Sequence, residues 1–185
     1  MKAFIFDLDG VIVFTDKFHY QAWIKMADNM GIYFDETINN RLRGVSRAES
    51  LEIILEKYDG TLSDEKKAEL MEEKNNTYRE LLKTMAPEDV PDEVRNTLKK
   101  LREAGYKLAI GSSSKNAKFI LERVGLLDAF DAISDGTNIT RSKPDPEVFV
   151  KAGELLGIEA SKCVVVEDAY AGIDAAKAAG MEAVG

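Results

Sequence analysis

The chain has 185 residues, 45% of them hydrophobic, and a formal net charge of −8. This length suits one domain, or one domain with a smaller insertion, and the apolar content is sufficient for a buried core. The acidic balance argues against a nucleic-acid partner and an anionic membrane surface. The single cysteine, Cys163, excludes an internal disulfide, and its apolar neighbours predict a buried structural thiol. No apolar run has the length of a membrane span, so we expect a cytoplasmic protein.

The first predicted element is a short apolar strand, Ala3–Phe6, which runs directly into Asp7, Leu8, Asp9 and Gly10. Carboxylates at the end of a buried strand are costly unless charge chemistry takes place there. The start of the chain therefore indicates a reactive site at a strand end.

The next stretch, residues 14–87, carries helical patterns only, at Phe18–Met30, Arg47–Tyr58 and Ser63–Met85. We interpret it as a helical insertion into a core formed by residues 1–13 and 88–185. An insertion at this point would lie over the carboxyl ends of the strands as a lid.

The rest of the chain alternates between strand and helix. Further apolar strands are predicted at Lys107–Gly111, Phe130–Ser134, Cys163–Val166 and, as the start of a fifth, Met181–Val184. The predicted helices are Asp92–Ala104, Lys115–Val124, Glu147–Leu156 and Tyr170–Ala179. This alternation favours an α/β fold with a doubly wound parallel sheet.

Reactive side chains follow every one of the first four strands. Ligands bind beyond the carboxyl ends of such strands, so these groups would meet at one rim. They are Asp7 and Asp9, then Ser112, Ser113, Ser114, Lys115 and Asn116, then Ser142 and Lys143, then Glu167 and Asp168. Acids from two strands would repel each other without a cation, and oxygen ligands favour Mg²⁺. A lysine, a hydroxyl and free N–H groups suit a phosphate, which a carboxylate could attack while a second one transfers a proton.

These residues resemble the haloacid dehalogenase superfamily of phosphotransferases. Its motifs match Asp7-Leu8-Asp9-Gly10, Ser112, Lys143-Pro144-Asp145-Pro146 and the run from Glu167 to Gly172, and its cap domain would be the helical insertion. Other stretches are similar to the β-phosphoglucomutase subfamily: Thr15 with His19 and Trp23, Arg43-Gly44-Val45-Ser46-Arg47, Lys74-Asn75, and Ser112 to Asn116.

The resemblance implies a Mg²⁺-dependent isomerase that interconverts β-D-glucose 1-phosphate and glucose 6-phosphate through an aspartyl phosphate and a bound bisphosphate. It implies that Asp7 is the nucleophile and Asp9 the general acid/base. Ser112 and Lys143 would hold the transferring phosphoryl group, and Arg47 the other phosphate. The implied metal ligands are Asp7, the Asp9 carbonyl, Glu167 and Asp168.

The remaining implied substrate residues lie in two groups. Thr15, His19 and Lys74 would link substrate binding to cap closure. The others are Trp23, Arg43, Gly44, Val45 and Ser46 in the insertion and Ser113, Ser114, Lys115 and Asn116 in the core. The expected partner is a small phosphorylated sugar, bound by a monomer.

Other interpretations stay open on the sequence. A phosphatase of the same fold, acting on a sugar phosphate or phosphoglycolate, would share Asp7, Asp9, Lys143 and Asp168. A non-catalytic phosphate binder or a fragment is a third hypothesis, although a binder needs no second carboxylate. His19 and Trp23 could be structural, and Arg43 and Arg47 solvated charges. Phe14 stands where many relatives carry a polar residue, and relatives continue beyond Gly185, which predicts a truncated end.

Overall fold

The computed structural model describes residues 2–42 and 45–185. The chain forms two compact units, here called the core unit (Met1–Phe14 with Met85–Gly185) and the helical unit (Thr15–Thr84). The assignment of the helical unit as a cap domain stays a prediction. Within the described residues, no helix combines the length and the apolar character that crossing a bilayer requires.

The core unit contains a parallel sheet of five strands. In chain order they are β1 (Ala3–Phe6), β2 (Lys107–Gly111), β3 (Ala132–Ser134), β4 (Cys163–Val166) and β5 (Glu182–Val184). Their order across the sheet is β3-β2-β1-β4-β5, so the predicted doubly wound arrangement is confirmed. The central strand β1 aligns Phe6 with Ile110 on one side and with Val166 on the other.

The helices are, in chain order, α1 (Asp16–Asn29), α2 (Glu36–Asn40), α3 (Arg47–Leu55), α4 (Asp64–Leu82), α5 (Asp92–Glu103), α6 (Ala117–Arg123), α7 (Glu147–Leu156) and α8 (Tyr170–Ala178). The first four lie in the helical unit and the last four in the core unit. Short 3₁₀ turns occur at Pro87–Asp89, Leu127–Ala129 and Ala160–Lys162.

Each unit has its own hydrophobic core. In the core unit, Ile5 of β1 and Val165 of β4 pack in one buried cluster with Phe149 of α7. Cys163 belongs to the same cluster, and its thiol donates to the Glu159 carbonyl, so the predicted structural thiol is confirmed. In the helical unit, Trp23 and Met26 of α1 share a cluster with Leu51 of α3 and Leu70 of α4.

Several element limits differ from the sequence predictions. Helix α2 was not predicted because it buries no residue, and it begins at an Asp35 cap whose carboxylate accepts the Ile38 N–H. Helix α3 ends at Leu55 rather than Tyr58, and α4 ends at Leu82 rather than Met85.

Strand β3 begins at Ala132 rather than Phe130. Just before it, the Asp131 N–H donates to the Leu108 carbonyl at 2.7 Å, and the Asp131 carboxylate accepts the Leu108 N–H at 3.0 Å. Helix α6 begins at Ala117 rather than Lys115, and the side chain of its N-cap residue, Asn116, makes no capping hydrogen bond.

Candidate active site

The residues that follow three of the strands still take part in the hydrogen-bond ladder. The Asp7 N–H donates to the Val166 carbonyl at 2.9 Å, and the Glu167 N–H donates to the Val184 carbonyl at 3.0 Å. On the other side, the Ser112 N–H donates to the Ser134 carbonyl at 3.0 Å. The parallel register therefore brings Asp7, Ser112 and Glu167 to one edge of the sheet.

Lys143 forms ion pairs with the acids that follow the strands β1 and β4. Its Nζ lies 2.6 Å from Asp7 Oδ1 and 2.6 Å from Glu167 Oε2, and the Lys143 and Glu167 side chains are only 9% and 1% exposed. The ammonium also lies 4.8 Å from the centre of the Phe149 ring. Buried charges require compensating partners, and these two acids compensate the lysine.

The protonation equilibria of this cluster are shifted. Burial raises the pKa of Asp7 to about 6, although the Lys143 ammonium acts in the opposite direction. Burial works against the charge of Lys143, but its ion pairs with Asp7 and Glu167 outweigh this effect and raise its pKa. Lys143 is therefore a fixed cation, and Asp7 is a carboxylate that is poorly solvated, as a nucleophile should be.

Three acids of this edge could together hold a metal ion. Asp7, Glu167 and Asp168 each offer an oxygen, and these oxygens all lie within 4.8 Å of one another. Two glycines leave room for them: a Cβ at Gly10, which has φ +90°, would collide with the Asp168 carboxylate, and a Cβ at Gly172 would collide with that of Glu167. This set of anionic oxygens fits a hard divalent cation such as Mg²⁺.

The loop from Ser112 to Asn116 is ordered by its own hydroxyls. Ser112 Oγ accepts the Ser114 N–H at 3.2 Å, and Ser114 Oγ accepts the Asn116 N–H at 3.1 Å. Beside this loop lies a cavity of about 490 Å³, lined by Ser113, Lys115, Gly136, Thr137, Ile139, Thr140 and Ser142. Hydroxyls and one cation around such a cavity suit a polar, anionic ligand.

The profile of the haloacid dehalogenase-like hydrolases matches residues 1–180. The chain belongs to this family. A β-phosphoglucomutase of Bacillus subtilis is 44% identical, over the whole of this chain and 83% of its own length. A phosphorylated carbohydrates phosphatase of Thermotoga maritima is 34% identical, over the whole of this chain and 84% of its own. The crystal structure of a Clostridium difficile β-phosphoglucomutase matches with TM-score 0.92 and 41% identity, over the whole of this chain and 84% of that one.

In this member of the haloacid dehalogenase-like family, the helical unit contains a second polar cluster. Lys74 is 3% exposed, and its Nζ lies 2.8 Å from His19 Nδ1. The same ammonium lies 4.7 Å from the Trp23 ring and 4.8 Å from the Tyr78 ring. A protonated Lys74 only donates, so in that state His19 Nδ1 accepts this hydrogen bond. Trp23 is part of the buried cluster of the unit and supports Lys74 through its ring.

Other predicted site residues of the helical unit also form hydrogen bonds. Thr15 is fully buried, with its Oγ1 at 3.0 Å from the Tyr78 hydroxyl, and Arg47 Nη2 donates to Asn75 Oδ1 at 2.8 Å. Burial lowers the pKa of Arg47, and Glu72 partly offsets this.

The loop before α3 is described only in part. Ser46 caps α3 by accepting the Glu49 N–H, and the Val45 N–H donates to the Leu42 carbonyl. Arg43 and Gly44 lie outside the described residues.

Three residues of these networks were missed as site residues. Tyr78 is buried in α4, and its hydroxyl contacts Thr15. Glu147 accepts hydrogen bonds from the Thr140 and Arg141 N–H groups at 2.9 and 2.8 Å and so folds back the loop that carries Lys143. Asp135 is buried directly after β3, and its Oδ1 accepts the Thr137 N–H at 2.9 Å. An acid directly after a strand was the available signal for Asp135.

Proposed function

We propose that this protein is a sugar-phosphate mutase that interconverts β-D-glucose 1-phosphate and glucose 6-phosphate. The observation that carries the proposal is the 44% identity to a β-phosphoglucomutase along the whole chain. The buried Asp7–Lys143–Glu167 cluster supports it, because it supplies a desolvated carboxylate beside a fixed cation.

Asp7 enters the cycle as an aspartyl phosphate, formed when its carboxylate oxygen attacks a phosphorus of the bisphosphate primer. In the first half, Asp9 takes the proton from the free hydroxyl of the sugar monophosphate, and the oxygen of that hydroxyl attacks the aspartyl phosphate. The bond from phosphorus to Asp7 breaks, and a sugar bisphosphate forms. In the second half, Asp7 attacks the other phosphorus of the bisphosphate, the bond from phosphorus to the sugar oxygen breaks, and Asp9 gives the proton to that oxygen. The aspartyl phosphate is restored, so no water is consumed.

The neighbouring residues stabilise charge during this transfer. Lys143 and Ser112 are proposed to bind the oxygens of the transferring group, and Ser114, Lys115 and Asn116 to lie near the phosphates. Mg²⁺, held by Asp7, the Asp9 carbonyl, Glu167 and Asp168, would neutralise the acids and polarise the phosphoryl group.

The helical unit is proposed to bind the rest of the substrate. Arg47 would hold the non-transferring phosphate through its guanidinium, with Val45 and Ser46 next to it. Thr15, His19 and Lys74 would link substrate binding to closure.

A phosphatase acting on a phosphorylated sugar is the second candidate, since a Thermotoga maritima phosphatase is 34% identical over the whole chain. The test is incubation with β-D-glucose 1-phosphate, Mg²⁺ and a bisphosphate primer, with glucose 6-phosphate and free phosphate measured together. We expect glucose 6-phosphate to dominate, and the Asp7→Asn variant to produce neither compound. Phosphate release without isomerisation would favour the phosphatase.

A further inference from the structure

A hydrogen bond connects two loops of the core unit at Lys143. Ser113 Oγ accepts the backbone N–H of Lys143 at 3.3 Å. Ser113 belongs to the loop after β2, and Lys143 to the long loop between β3 and α7. The Ser113 hydroxyl therefore contacts the main chain of the residue whose ammonium binds Asp7 and Glu167.

The loop that carries Ser113 also contacts the start of the loop between β3 and α7. The Gly136 N–H donates to the Ser114 carbonyl at 3.1 Å. A Cβ at Gly136 would lie 2.5 Å from the Ser113 carbonyl oxygen and 2.8 Å from the Lys115 nitrogen, so the two main chains are in direct contact. These contacts hold Ser113 beside the start of the loop that carries Lys143.

The loop that carries Lys143 is also held at points on both sides of this residue. Near its start, the Asp135 carboxylate accepts the Thr137 N–H, and near its end Glu147 accepts the N–H groups of Thr140 and Arg141. The Ser113 hydroxyl acts between these points, on Lys143 directly. Because the ammonium must reach acids on two strands at once, a small shift of the Lys143 main chain would weaken both ion pairs.

We propose that Ser113 is a positioning residue, whose hydroxyl places Lys143 for phosphoryl transfer instead of binding the phosphate. The inference rests on the proposed function in that Lys143 binds the transferring group. It deepens that function by assigning the Ser113 side chain to the lysine rather than to the substrate.

The test compares Ser113→Ala with Ser113→Thr, which keeps the hydroxyl, and with Ser63→Ala as a matched control. Ser63 Oγ also accepts a backbone N–H, that of Lys66 at 3.2 Å, at the start of α4 and outside the proposed machinery. Three quantities are measured on the full chain: isomerisation of β-D-glucose 1-phosphate, hydrolysis of p-nitrophenyl phosphate, and amide hydrogen exchange of Lys143 by NMR.

We expect Ser113→Ala to lower kcat roughly 3- to 10-fold, the range for one lost hydrogen bond, with KM changed less than about twofold. Exchange of the Lys143 amide should accelerate by a similar factor, and Ser113→Thr should restore both. Ser63→Ala should accelerate hydrogen exchange of the Lys66 amide only and leave turnover unchanged.

Two results would overturn the inference. One is an unchanged hydrogen-exchange rate of the Lys143 amide in Ser113→Ala. The other is a raised KM with an unchanged kcat, which would show that Ser113 binds the substrate. Failure of the mutase proposal is seen separately, as a wild-type protein that does not isomerise the sugar phosphate. The amide measurement tests Ser113 in that case as well, because it needs no turnover.

Discussion

The chemistry of Asp7 depends on the surroundings of its carboxylate. Its carboxylate is buried at the end of the central strand, and Lys143 compensates it only in part, so its pKa stands at about 6 instead of 3.8. A folded-state pKa above the unfolded value means that the folded protein binds the proton more tightly. Stability from Asp7 is therefore present below about pH 4 and is lost as the pH rises through about 6.

We expect Asp7→Asn to stabilise the metal-free protein at neutral pH. The amide carries no charge to bury, so the gain should approach an upper limit of about 3 kcal/mol above pH 7 and vanish below about pH 4. Urea unfolding in EDTA across this pH range measures it. Asp59→Asn, at an exposed position, is the control, and a gain that does not depend on pH would contradict the explanation.

We expect substitution of Arg47 to distinguish a mutase from a phosphatase. A mutase needs a second phosphate site, and Arg47→Ala should remove a charge-assisted contact worth on the order of 2–4 kcal/mol, or roughly 30- to 1000-fold in isomerisation. Hydrolysis of acetyl phosphate, which has no second phosphate, should change far less. Assays of both reactions on one preparation give the comparison, and an equal loss in both would show that Arg47 does not hold a second phosphate.

At the scale of the elements, one side chain connects strand β3 to its neighbours. Asp131 accepts the Leu108 N–H from β2, and its carboxylate also pairs with Lys107 at 2.8 Å and with Arg102 of α5 at 3.1 Å. Burial alone would raise the pKa of Asp131, but these hydrogen bonds and charges lower it to about 2. Stability from this group is present above about pH 4 and is lost as the pH falls toward about 2.

We expect Asp131→Asn to destabilise the protein by about 1 kcal/mol at pH 7, a value reduced by solvent screening of its partly exposed partners. The difference from wild type should shrink as the pH falls below about 4, because the wild-type carboxyl then takes up its proton. Denaturant unfolding at several pH values measures this difference. Asp128→Asn, an exposed neighbour, should have no such effect, and a difference that persists at low pH would exclude the charge as its cause.

At the scale of the whole molecule, sequence patterns predicted the elements with a strong apolar signal and missed those defined by polar contacts. The strand Ala3–Phe6 and the helix Glu147–Leu156 were predicted to the residue, because continuous apolar runs and a glycine stop at Gly157 mark them. Helix α2 buries nothing and was missed.

In the candidate site, too, sequence patterns predicted some features and missed others. Acids, serines and Lys143 at the strand ends were predicted, since parallel strands share one rim. The contact of Ser113 with Lys143 joins residues 30 positions apart in the chain, and no local pattern reports it.

We expect the acidic rim to make thermal unfolding of the whole protein depend on Mg²⁺. An ion that binds only the folded state should raise Tm by roughly 3–5 °C for each tenfold excess of Mg²⁺ over its Kd. Melting curves in EDTA and in increasing Mg²⁺ test this. The increment should be lost in Asp168→Asn, which removes one of the three proposed carboxylate ligands, and an equal increment in that variant would place the ion elsewhere.

The central position of β1 affects how the chain folds as it is synthesised. Ala3 pairs with Lys107 and with Cys163, so the strand that precedes Asp7 is synthesised long before either neighbour exists. Pairings so distant in sequence form slowly, while the residues of the helical unit can pack with one another in the meantime. Asp7 is thus translated before either strand that flanks β1, yet its buried environment is complete only when β4 and β5 have joined the sheet.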